Sequence, residues 1–90
     1  MSIFVIISQE KNINLETSIK ENFPDNYYKV HDNQWLISTT GTAKEVSVKI
    51  GIEDKEKKLN GIIFAISGYW GRAANDIWEW IASKWEKKDG

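Results

Sequence analysis

Gly61-Ile-Ile-Phe-Ala-Ile-Ser67, then Gly68-Tyr-Trp-Gly-Arg72, then Asp76-Ile-Trp-Glu-Trp-Ile81, is the stretch whose reading decides the fold. The first segment is a short apolar run with β-branched residues, which predicts a buried strand. The second sets two aromatic residues between two glycines, the chemistry of a sharp turn. The third predicts a helix that starts at Asp76, with the Asp side chain as cap and Glu79 completing a capping box. Ile77, Trp78, Ile81 and Trp85 fall within about 100° of arc on that helix, an inward stripe. Trp80 lies beside the stripe and is expected to be the exposed aromatic of the helix.

Working back toward the N-terminus, Thr42-Ala-Lys-Glu45 is a capping box before Val46 and Ile50. Gly51 stands where a left-handed stop belongs, with Ile52 as its hydrophobic contact. Residues 53–58 form a charged loop of mixed sign. Tyr27 to Val30 and Gln34 to Ser38 read as two short strands around His31-Asp32-Asn33, with one long bulged strand as the competing reading. Asn12 and Asn14 can cap a helix whose stripe is Leu15, Ile19 and Phe23, and Pro24 stops it. Ile3 to Ile7 is the opening strand.

The order is therefore βαββαβα, in one domain spanning residues 1–90. Its first six elements match the ferredoxin-like α+β pattern, an antiparallel sheet with strand order 4-1-3-2. The extra Trp-rich helix follows at the C-terminal end. In the first strand Ile3, Val5 and Ile7 oppose Phe4 and Ile6, and in the last Ile63 and Ala65 oppose Ile62, Phe64 and Ile66. Both strands are apolar on both faces, whereas a sheet with one wet face would alternate. The third helix is expected to cover part of the second face and a homodimer the rest.

Composition narrows the function. Net charge is −1, which gives no general drive toward nucleic acid, although a local basic patch remains open. Lys84, Lys87 and Lys88 are offset by Glu79 and Glu86, which reads as a solvated face. No cysteine is present, so disulfides and thiolate metal sites are excluded, in keeping with a cytoplasmic setting. The opening apolar run is too short for a membrane span and lacks a charged leader, so no membrane partner is expected. No P-loop, dinucleotide fingerprint or zinc spacing occurs, and the single histidine rules out most hydrolytic triads.

Three candidate sites follow from the residues. Glu10, His31 and Asp32 would share one end of the sheet, where they could hold a metal and activate water, or serve as plain loop and turn residues. Gly68 to Arg72 could present its amides and Arg72 to a phosphate, with Tyr69 or Trp70 stacking on a base. Its plainer reading has Trp70 packed over the sheet edge and Arg72 paired with Glu79 or Asp76. The Trp helix, through Trp80, could meet a protein partner, or be wholly core.

The opening strand ending in Ser8, the Gln34-Trp-Leu-Ile-Ser-Thr39 segment, the capped helix, Tyr69-Trp-Gly-Arg72 and Ile77-Trp-Glu-Trp-Ile81 occur in an order that resembles the SinR-like small bacterial proteins. These are similar in turn to the ferredoxin-like CRISPR adaptation subunit and the VapD-type ribonucleases. The resemblance spans nearly the whole chain. It implies a non-catalytic binding module, associated with phage defence or mobile elements. An alternative it carries is a magnesium-dependent endoribonuclease. In those relatives an Asp at the end of the first strand is the proposed metal ligand. Here Gln9 or Glu10 takes the place, and only Glu10 would retain the hard oxygen ligand magnesium needs. A third alternative, read from the residues and not from the resemblance, is an antitoxin- or immunity-type inhibitor that meets a protein partner through exposed aromatics and acidic loops, which the near-neutral charge favours over nucleic-acid binding.

Overall fold

A computed structural model describes residues 2–52, 54–56, 59–73 and 75–85. Its elements are β1 (Ser2–Ile7), α1 (Ile13–Asn22), β2 (Tyr27–His31), β3 (Gln34–Thr39), α2 (Ala43–Ile50), β4 (Ile62–Ile66) and α3 (Asn75–Lys84). The four strands form one sheet in the order β2-β3-β1-β4, every pair antiparallel. This is a small α+β fold with three helices, compatible with a ferredoxin-like arrangement.

Local chemistry sets the element ends. The Asn12 side chain accepts from the Leu15 amide at 3.0 Å and starts α1. Phe23 caps its far end through a bond to the Ile19 carbonyl, immediately before Pro24. In α2 the capping box is complete: the Glu45 amide donates to Thr42 Oγ1, and the Thr42 amide to Glu45 Oε1, both at 3.1 Å. Gly51, at φ 96°, ends α2 in the left-handed region, and the amides of Gly51 and Ile52 both reach the Ser47 carbonyl. Asp32-Asn33 forms the two-residue connection between β2 and β3, with a register shift between Lys29 and His31. Two strands and a bulge thus coexist, and His31 ends the strand rather than sitting in the turn.

The pleat sends alternate residues to opposite faces. Phe4, Ile6, Trp35 and Ile37 point toward α1 and α2 and are buried with Leu15, Ile19, Val46 and Ile50. The Ser18 hydroxyl donates to the Ile50 carbonyl at 2.6 Å, tying α1 to the end of α2. On the opposite face Ile3 and Leu36 are buried beneath Ile81 of α3, with Val5, Tyr28, Ile66, Ile77, Trp78, Trp80 and Trp85 around them. The expectation of an apolar second face under a third helix therefore holds. Lys84 Nζ donates to Asn26 Oδ1 at 2.9 Å, and α3 meets β2, so the helix lies toward the β2 side.

Two expectations are corrected. The strand order is the expected 4-1-3-2, but the last strand is not buried: at its edge position β4 leaves Ile62 and Phe64 56% and 50% exposed. It is β3, with β1, that holds the middle of the sheet, which is why Trp35 to Ser38 are all buried. Asp76 is not the cap of α3, because the helix already includes Asn75. Its carboxylate instead accepts from the Tyr28 hydroxyl across the back of the sheet. Of the loop at 53–58, Asp54, Lys55 and Glu56 are exposed as expected. The rest of it, and Glu86, Lys87 and Lys88, lie outside the described residues.

Candidate functional site

The chain leaves β4 at Ile66 and turns through Ser67 to Ala73 before entering α3. Gly71 adopts φ 154° with open space around its Cα, so the turn is permitted by the missing side chain rather than by close packing. Tyr69 is held at the base of this corner. Its ring stacks on Trp78 at 5.8 Å between centroids and meets Trp85 edge-on at 4.8 Å. Both distances are within the range where aromatic pairs add to their area burial. Trp70, the next residue, is 99% exposed. The corner is therefore an anchored tyrosine beside a free indole.

Trp70 does not pack over the sheet edge, contrary to the plainer reading of this turn. Arg72 is exposed and, among the described residues, pairs with neither Glu79 nor Asp76. Asp76 is engaged with Tyr28, which removes one of the two expected partners. That bond holds the Tyr28 phenol above its usual range, since the neighbouring carboxylate disfavours the phenolate. Trp80 is half-buried, its ring tilted against Tyr28 at 6.0 Å. The tryptophan that stands free in solvent is thus Trp70, outside the helix, and not Trp80. Tyr28 covers Trp80 from β2, which helix periodicity alone does not reveal.

The end of β1 and the β2–β3 turn do meet. The Ser8 amide donates to the Asn33 carbonyl and Asn33 Nδ2 to the Ser8 carbonyl, both at 3.0 Å. Ser8 Oγ reaches the Glu10 carbonyl at 2.5 Å. Glu10, His31 and Asp32 all lie exposed at this end. Asp32 stands 3.5 Å from Lys29, which is itself bonded to Glu16 at 3.1 Å. That contact with Glu16 raises the Lys29 ammonium, while the hydrogen bonds from Lys20 and Lys29 lower the Glu16 carboxyl. Among the described residues, no three His, Asp or Glu side chains are grouped so as to hold a metal.

A groove of about 420 Å³ runs between α1 and the segment near Leu59, lined by Asn14, Thr17, Glu21 and Asn22 among others. None of the residues of the three candidate sites lines it. No helix among the described residues is long and apolar enough to cross a membrane. Neither a protein-family model nor a curated protein matches the chain.

Proposed function

We propose that this protein is a non-catalytic binding module that works as a homodimer and contacts single-stranded nucleic acid through Trp70 and Arg72. The observation that carries the reading is the exposure of Trp70 beside a fixed Tyr69. An indole clear of its own fold presents a π-face on which any base can stack. The neighbouring guanidinium, free of carboxylate partners among the described residues, suits a backbone phosphate. The uncharged run from Leu59 to Gly71 keeps carboxylates out of the corner's own segment. Kinship with the SinR-like proteins, a full ferredoxin-like topology and a cytoplasmic setting belong to the same proposal.

Fluorescence titration with a short oligouridylate tests it. Stacking of ~1–3 kcal/mol per base predicts that Trp70→Ala weakens binding about 5- to 150-fold. Arg72→Ala should lower the slope of log K against log salt by about 0.7, the share of one phosphate on a single strand. Binding that is unchanged in both variants refutes the reading, as does no binding at low salt. Retention of a protein partner by the wild type and its loss in Trp70→Ala would transfer the same corner to the inhibitor alternative.

The ribonuclease alternative has one supporting feature, the Ser8–Asn33 bonds that join the end of β1 to the β2–β3 turn; among the described residues they do not gather Glu10, His31 and Asp32 into a metal-holding group. Magnesium-dependent RNA cleavage lost in Glu10→Gln would establish it.

A further inference from the structure

The two edges of the sheet are built differently. On β2 the strand is interrupted by the shift between Lys29 and His31, and Lys29 is tied to Glu16 and Asp32. Bulges and charges of this kind block edge-to-edge pairing. On β4 neither device is present. Its five residues are Ile-Ile-Phe-Ala-Ile, with no proline, and its register against β1 runs unbroken from Ile62 to Ile66. No charged residue occurs between Leu59 and Gly71. α3 meets β2, and of β4 only Ile66 is packed with the Ile81 cluster, so the part of the back face left uncovered among the described residues is around Ile62 and Phe64.

We propose that β4 pairs antiparallel with β4 of a second copy about a two-fold axis at Phe64, joining the four strands of each copy into one continuous sheet. This rests on the homodimeric part of the reading above and assigns its interface. Antiparallel pairing about Phe64 sets Ile62 opposite the partner's Ile66, and all of these side chains share the back face. The arrangement is self-complementary in shape and charge. Pairing β4 with a second copy's β2 would instead set a smooth strand against a bulged, charged one. It would also propagate rather than close.

The size of the surface sets the strength. A half-exposed Phe or Ile offers on the order of 100 Å². Ile62 and Phe64 from two copies thus contribute about 400 Å², well below the roughly 1,200–2,000 Å² of tight interfaces. Backbone pairing along the edge adds to this. The dimer is weak and depends on concentration.

Sedimentation of the full chain from about 10 µM to about 1 mM, the span over which weak pairs dissociate, tests it. The mass should rise from 10.4 kDa toward twice that value. Phe64→Lys, at a position already half exposed in the monomer, should keep the far-ultraviolet spectrum and raise the dimer Kd about tenfold or more, since it sets like charges opposite each other. The cysteine-free chain allows a second test. Cross-strand partners have Cβ atoms about 4.5–5.5 Å apart. Phe64→Cys should therefore cross-link to its own copy under mild oxidation, while Val30→Cys, exposed on the other edge, should not. A chain that stays monomeric throughout overturns the homodimer and its interface together. A dimer indifferent to Phe64→Lys, or equal cross-linking by both cysteine variants, overturns the β4 interface and leaves the homodimer standing.

Discussion

Ile81→Ala probes the packing of α3 on the back of the sheet. Ile81 is 5% exposed and sits on Ile3 and Leu36. Buried Ile→Ala changes cost about 2–5 kcal/mol, more where the site cannot collapse. Here only three residues of the cluster are fully buried, and half-buried rings of Trp78, Trp80 and Trp85 surround them. Those rings can move into the space, so the lower part of the range applies, about 2–3 kcal/mol. A chain of this length has on the order of 4–13 kcal/mol in total. The loss should therefore shift Tm by roughly 8–24 °C. Urea denaturation of Ile81→Ala, Leu36→Ala and the double variant gives the coupling, expected at about 0.5–3 kcal/mol for residues in contact. Val48→Ala, on the exposed side of α2, serves as the control and should stay within about 0.5 kcal/mol. An Ile81→Ala effect as small as the control, or no coupling to Leu36, would show that α3 does not hold this face.

Further outcomes follow from the same contacts. Thr42→Ala removes the hydroxyl end of the α2 capping box and should cost about 0.5–2 kcal/mol by urea denaturation, recovered in Thr42→Ser. The Tyr28 phenol is raised by Asp76, so the bond stabilises the fold fully below the normal tyrosine range and is lost as pH climbs through the raised value. Ultraviolet titration should show one tyrosine ionising earlier in Asp76→Asn than in the wild type, and an unchanged curve would refute the bond. Trp35 is fully buried, and among the described residues its indole N–H has no hydrogen-bond partner. Trp35→Phe removes that donor along with ring volume, so it should cost less than the about 3–5 kcal/mol of a Trp→Ala change.

What could be read beforehand depended on how local the chemistry was. Thr42 with Glu45, Gly51 with Ile52, and Asn12 with Leu15 act within a few residues, and the helices they delimit follow from the spacing alone. The apolar character of both faces of β1 was equally plain, because Ile3 to Ile7 has no polar position. The strand order 4-1-3-2 follows from the element pattern and is the order observed; what the run Ile62 to Ile66 hid is its exposure, since an apolar β-branched run reads as buried whether it lies at an edge or in the middle. The site was legible in part. Gly68 and Gly71 marked the turn, but the exposure of Trp70 depends on Tyr69 being captured by Trp78 and Trp85 instead. Asp76 resembled a cap because caps are local. Its actual partner, Tyr28, lies 48 positions away.

The functional claim is most directly tested by following the five indole N–H signals of the ¹⁵N-labelled chain while oligouridylate is added. Trp70→Phe assigns the signal of interest. The Trp70 signal should shift progressively and saturate, while that of Trp35, sealed between the sheet and its two helices, stays fixed. A Trp70 signal that does not move, while the oligonucleotide binds or fails to bind elsewhere, would contradict the assignment of the aromatic corner as the contact site.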